Sequence, residues 1–321
     1  MAYARPWKSL DEQLTLLQSR GMATGNREQA ISYLERIGYY RLSAYWYPFR
    51  VFQLHQDPNN GRLSATTTDQ FHPDTHFLDA VNLYLFDKQL RLLVMDALER
   101  VEVAIRVDIA HLLGERSTFA HTDQTQFHPG FSGKQLRGKT AFQHWQDKYS
   151  GLLHRSKEDF VRHYRKKYGD DLPIWVAIEL WDFGAMSQLF AMMNVADQSR
   201  IAAKYDIQDF RVFSSWLRAL NYLRNVTAHH SRLWNRNIID QPKLPSAGQI
   251  DWCNHFIGKA DLVAKPFLLL AILRHLAKTI CPNTEWHQRV KDHLLSFPEA
   301  HSAHKRGLND IGTPTTWQEW W

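Results

Sequence analysis

The stretch DTHFLDAVNLYLFDKQLRLLVMDALERVEVAIRVDIAHLL, residues 74–113, holds neither glycine nor proline and lies between Pro73 and Gly114. Proline suits the entry to a helix and glycine its exit, so the stretch predicts one long helical region. Leu78, Val81, Leu85, Leu92, Met95, Val101 and Ile105 keep broadly to one side of it. Run straight, it would span about 60 Å, which predicts a kink or break inside. Outside it, strand-like alternation bounded by tight turns is almost absent, and helical spacing recurs from end to end. The predicted fold class is all-α.

Upstream, one helix is expected from Ser9 to Arg20, stopped by Gly21. A second, capped by Asn26, carries Ala30, Ile31, Leu34 and Ile37 on one face and ends at Gly38. The aromatic run YYRLSAYWYPFR, 39–50, should pack this unit on the main body, with Pro48 ending any helix. The polar segment 51–73, with Pro58, Asn59, Asn60, Gly61 and a threonine run, reads as a loop or linker. Downstream, 115–138 reads as a loop. Helices are expected near 139–150, 156–168, 174–193, 197–204 and 208–230, then 261–280 and 285–296 after a Pro- and Gly-rich loop. The tail TPTTWQEWW should be docked, since Trp317, Trp320 and Trp321 left free would be an aggregation hazard.

A chain of 321 residues makes one large domain or two smaller ones, and its hydrophobic fraction of 44% excludes a disordered chain. The twelve tryptophans are packing anchors or platforms for stacked bases. A formal charge of +6 favours anionic partners such as nucleic acid. Cys253 and Cys281 are far apart, which argues against a disulfide framework or a zinc ribbon and fits a reducing, cytoplasmic location. No signal peptide is expected at the start, and the apolar run Pro266–Leu273 is too short to span a bilayer, so no membrane partner is expected.

The chemistry is expected in LRNVTAHHSRLWNR, residues 223–236, at the end of a helix whose apolar face is Phe213, Trp216, Leu217, Leu220 and Leu223. Arg224 and His229 suit RNA strand cleavage without a metal. A histidine moves protons near neutral pH, and an arginine offers a fixed charge and a planar donor fork to a phosphorane. Asn225 shares a helix face with His229 and could orient it or a phosphate. His230 follows as a supporting group. In an ideal helix Arg224 and His229 point roughly 140° apart, so one chain makes a poor site unless the helix ends near Ala228. Two copies facing across a two-fold axis would solve this. The spacing also occurs by chance, and the helix dipole alone favours histidine at a C-terminus.

Other candidates carry two readings each. Glu102 and Arg106, with Glu99, form a helix-surface pair or line the cleft and orient Arg224 or His229. Glu179 and Asp182 lie in the apolar segment IWVAIELWDFGAM and need a partner where buried: one of them is expected to pair with Arg224 or Arg218 in a structural ion pair, and the second reading makes Glu179 a supporting residue of the site. In RSKEDFVRHYRKKYG, 155–169, Arg155, Arg162, Arg165, Lys166 and Lys167 form a solvated face or a track for an RNA backbone. His72 and His76 have ligand-like spacing, but Pro73 intervenes and no third ligand is near, so no metal and no cofactor are expected.

The block 223–236 resembles the signature of the Abi-like proteins, the AbiD/AbiF type of phage abortive-infection protein, within the HEPN superfamily, whose R-x4-6-H motif marks many metal-independent ribonucleases. EQLTLLQSRGM with AISYLERIGYYRLSAYWYPF, LYLFDKQLRLLVMDALERVEVAIR at 83–106, and PIWVAIELWDFGAMSQLF at 173–190 are similar to further family blocks. The resemblance implies a HEPN-like helical bundle at 71–240, an N-terminal segment at 1–70 and a C-terminal helical extension at 241–321. It implies an endoribonuclease toxin acting as a homodimer through Arg224, Asn225 and His229. The implied partners are RNA, as substrate or regulatory non-coding RNA, and an antitoxin. Some members of the superfamily are inactive, which leaves a silent RNA-binding or interaction module as the alternative.

Overall fold

A computed structural model of the chain describes residues 6–56, 61 and 63–321. It is mostly helical, with fifteen α-helices and two small two-stranded hairpins among the described residues. Helix α1 (Leu10–Ser19) begins at a capping box, Ser9 with Glu12. Asn26 caps α2 (Arg27–Ile37). Gly38, at φ +90°, turns the chain directly into α3 (Tyr39–Trp46), whose Leu42, Tyr45 and Trp46 are buried.

The expected loop at 51–73 is instead an antiparallel hairpin, β1 (Arg50–Gln56) on β2 (Leu63–Phe71); Pro58, Asn59 and Asn60 lie outside the described residues. Polarity hid it. Both strand faces are largely solvated, so no apolar alternation exists, and the β-branched run Thr66–Thr68 was the remaining signal. Arg20 and Arg50 both pair with Asp69, tying the hairpin to the end of α1.

Helix α4 (Phe77–Gly114) then runs 38 residues as a single element, so the expected break does not occur. At 1.5 Å per residue it is about 57 Å long. It is the axle of the molecule: α3 and five helices from farther along the chain, over Ile174–Ala177, Phe183–Met192, Phe210–Ala228, Pro266–Ile280 and Trp286–Leu295, pack around it. Because several faces are covered, its apolar residues are not one stripe. Val81, Val101 and Ile105 are buried, whereas Leu85 and Leu92 are exposed.

The segment 115–138 forms short turns and α5 (Pro129–Ser132). A second hairpin follows, β3 (Gln135–Leu136) with β4 (Lys139–Thr140), then α6 (Ala141–Arg155) and α7 (Asp159–Tyr168). The helix expected over 174–193 is split into α8 (Ile174–Ala177) and α9 (Phe183–Met192), because the Asp182 carboxylate caps the second by accepting from the Ala185 N–H at 2.6 Å. After α10 (Val195–Ala203) comes α11 (Phe210–Ala228). Pro266 likewise divides the expected 261–280 helix into α12 (Ala260–Val263) and α13 (Pro266–Ile280). Helix α14 (Trp286–Leu295) precedes the docked tail, α15 (Trp317–Trp320). There Trp321 packs on Phe267 with ring centres 5.2 Å apart and donates its indole N–H to the His287 carbonyl at 2.8 Å. Among the described residues no helix is long and apolar enough to cross a membrane.

Candidate active site

Helix α11 buries Phe213, Trp216, Leu217, Leu220 and Leu223, the face expected of it. It ends in a Schellman turn built on the histidines. The His230 N–H returns to the Thr227 carbonyl at 3.0 Å and the Ser231 N–H to Val226 at 2.9 Å, with His230 itself at φ +55°. Glycine usually takes that left-handed position; a side chain there costs about 1–2 kcal/mol and persists only where its surroundings hold it.

They do. Arg41 on α3 donates to the His230 carbonyl at 2.8 Å, and Arg232 donates back to the Ala44 carbonyl. Beneath lies Asp87 of α4, fully buried. It accepts from the Tyr45 hydroxyl at 2.7 Å, from Arg91, and from the backbone N–H groups of Leu233 and Trp234 at 3.1 and 2.7 Å. Burial pushes the Asp87 carboxyl up, and Arg91, Tyr45 and the two N–H groups pull the other way. Every partner is a donor, so the carboxylate is the form that fits. Sequence reasoning passed over Asp87, Arg91, Arg41 and Tyr45. The available signal was a lone Asp in an apolar stretch with Arg four residues on, and the density of YYRLSAYW.

Arg224 and His229 of one chain line different hollows. Arg224 is half-buried over α4 in a hollow of about 440 Å³ shared with Glu99, Glu102 and Arg106. Arg106 bonds both Glu102 and the Trp181 carbonyl. Burial raises the Glu102 carboxyl above its ordinary range, with Asp182 and Glu99 adding to it, against the attraction of Arg106 and Arg224. Asp182 is lowered: burial raises it, but Lys148 at 2.7 Å, the Ala185 N–H and Arg224 outweigh that. Arg224 has no carboxylate within ion-pair distance among the described residues, and its Nη1 lies 3.5 Å from the Asn225 amide oxygen. Asn225 thus sits beside the arginine, and of its two expected roles the one through a bond to the His229 imidazole has no such bond here.

His229 is exposed at the rim of a second hollow, about 620 Å³, with Tyr40, Arg41, His230, Arg232 and Arg236 in its walls. An imidazole on the surface among guanidinium groups can exchange a proton with a bound phosphodiester while the cations carry the negative charge.

The remaining candidates are placed apart. Glu179 is exposed, not buried in an ion pair: the break between α8 and α9 rotates it out of the apolar face, into grooves beside Trp175 and beside Arg155. Asp182 pairs with Lys148, and Arg218 lies 3.9 Å from Asp240. On α7, Arg162 pairs with Asp159 and Arg165 with Asp170, while Lys166 and Lys167 stay exposed, as does Arg155 at the end of α6. His72 stacks on His304, and His76 stacks on His301.

Residues 32–235 match the family described as Abi-like protein, an interval running from α2 to just past the histidine turn. No match is found among curated proteins or among solved structures.

Proposed function

The chain belongs to the Abi-like protein family, and from that premise we propose that it is a phage-defence protein that cleaves RNA without a metal ion, at a site completed by a second copy of the chain. The observation that carries this reading is an exposed imidazole, His229, in a hollow shared with Arg41, Arg232 and Arg236 and with no carboxylate partner among the described residues, five residues past Arg224, which likewise has no carboxylate within ion-pair distance. His229 takes the proton of the 2′-hydroxyl as its oxygen attacks phosphorus. Arg224 offsets the charge of the phosphorane, with Asn225 beside it. The 5′ oxygen leaves after gaining that proton back from the imidazolium of His229, while the facing copy supplies the arginine of the site. The products are a cyclic phosphate and a 5′-hydroxyl end. Glu102, bonded to Arg106, places a carboxylate in the hollow of Arg224 that attracts its guanidinium. Exposed Arg155, Lys166 and Lys167 offer a further track for the RNA backbone, alongside the paired Arg162 and Arg165. An antitoxin or a regulatory RNA would restrain such a toxin.

The test is purified protein on mixed RNA with EDTA present. Cleavage should persist in EDTA and fall about a hundredfold or more in Arg224→Ala and His229→Ala. Cleavage unchanged in both variants would overturn the assignment. A second reading, an RNA-binding module that does not cut, is favoured by the separation of the two hollows in a single chain. It predicts salt-sensitive RNA retention with no new ends.

A further inference from the structure

We propose that the hollow beside His229 is a subsite for one nucleotide of single-stranded RNA, with Tyr40 as the stacking platform and Arg41, Arg232 and Arg236 as the phosphate-facing cations. The proposal rests on the ribonucleolytic or RNA-binding reading above and goes beyond it in leading the strand from His229 onto Tyr40 and Arg41 of α3, away from α7.

Two kinds of side chain make the site. Tyr40 is 91% exposed, on a helix whose neighbouring aromatics Tyr45 and Trp46 are buried. A large ring left bare at the mouth of a hollow is a face on which any base can stack. Across the hollow Tyr47 is pinned, its hydroxyl 2.6 Å from Thr67 Oγ1 and its ring against the edge of Phe52. One ring is therefore free and the other fixed.

The guanidinium groups are held by neutral acceptors. Arg41 donates to the His230 carbonyl, and Arg232 to the Ala44 carbonyl. Arg236 donates to the Tyr222 hydroxyl at 2.7 Å and to the Arg232 carbonyl at 3.1 Å. Each keeps further N–H donors unspent out of five, and none meets a carboxylate within ion-pair distance among the described residues. Three positioned cations, of which only Arg232 feels a carboxylate, the buried Asp87, and none is in an ion pair among the described residues, call for an anion from outside the chain. The anion must also bring a flat ring for Tyr40, which selects a nucleotide over a phosphopeptide. The base must be unpaired, which selects a single strand over a duplex. At about 620 Å³ the hollow has the size of a small-molecule site.

The experiment is fluorescence anisotropy of the full chain with a short single-stranded 2′-O-methyl oligonucleotide, which lacks the nucleophile and stays intact. Tyr40→Ala should weaken binding between about fivefold and a hundredfold, and Tyr40→Phe should bind as the parent does. Arg236→Gln should reduce the salt dependence by about one counterion. Unchanged melting of each variant shows that the fold is kept. Parent-like binding by both Tyr40→Ala and Arg236→Gln, preference for the duplex form or for a phosphopeptide, or equal competition by inorganic phosphate would each overturn the subsite. Cleavage of natural RNA is read in parallel. Tyr40-dependent binding without cleavage removes the ribonuclease reading and leaves the subsite standing, whereas cleavage with Tyr40-independent binding removes the subsite alone.

Discussion

His121 shows what a single side chain can do to this fold. It is fully buried among Trp145, Tyr149 and Trp181, and neither ring nitrogen has a hydrogen-bond partner in the structure. Burial pushes it down to about 4. Between that value and the ordinary value of 6.5, the unfolded chain binds a proton that the folded chain refuses. Stability is therefore fully present above 6.5 and is lost as pH falls toward 4, by up to about 3 kcal/mol from this one residue. His275, His293 and His304 are also lowered, first by burial, and act with the same sign. His121→Phe should flatten the stability-versus-pH curve over that window in urea titrations; an unchanged slope would show that His121 is solvated. The sequence could not reveal this, since nothing around AHTDQ marks a buried imidazole. Arg224 and His229 were legible by spacing and chemistry. Their separation into two hollows was legible from the helical angle, because an ideal helix forbids them a common face.

At the scale of elements, α4 does two jobs. Its covered faces form the core, and Asp87 reaches through to hold the turn that presents His229. Asp87→Ala leaves Arg91 buried without its counter-charge and two backbone N–H groups unpaired. Removing one partner of a buried pair costs about 3–5 kcal/mol. A matching fall in urea midpoint is expected, with weakened RNA binding at temperatures where the variant is still folded. A loss below about 1 kcal/mol would mean that water replaces the carboxylate. The length of α4 was readable because Pro73 and Gly114 bracket a stretch free of breakers. The divisions at Asp182 and Pro266 were harder, since both lie in runs whose apolar content continues across the cap. The hairpin β1–β2 was missed for a different reason: a solvated two-stranded ribbon has no buried face, and periodicity reports only buried faces.

For the whole molecule, the open question is whether one chain suffices. Its buried residues form one hydrophobic cluster from Leu14 to Trp321, so the fold has no need of a partner for its core. The proposed chemistry does have such a need. Arg224 lines a hollow over α4 with Glu102, and His229 lines another with Tyr40 of α3, so the proposal has one phosphate served by Arg224 and His229 of different copies. The proposed dimer brings the Arg224 of one copy to the His229 of the other, and this makes a prediction that point variants alone cannot. Arg224→Ala and His229→Ala chains, each inactive, are mixed and allowed to exchange subunits. Half of the dimers are then mixed, and each mixed dimer holds one site with both groups intact and one with neither, so roughly a quarter of the parent activity should return. A site built within one chain cannot be restored by any mixture, because every chain lacks a group. Recovery near a quarter therefore supports a composite site, and no recovery despite demonstrated subunit exchange rules it out. The control is a double variant, Arg224→Ala with His229→Ala, mixed with either single variant. No pairing of those chains joins an intact arginine to an intact histidine across the interface, and activity should stay at background.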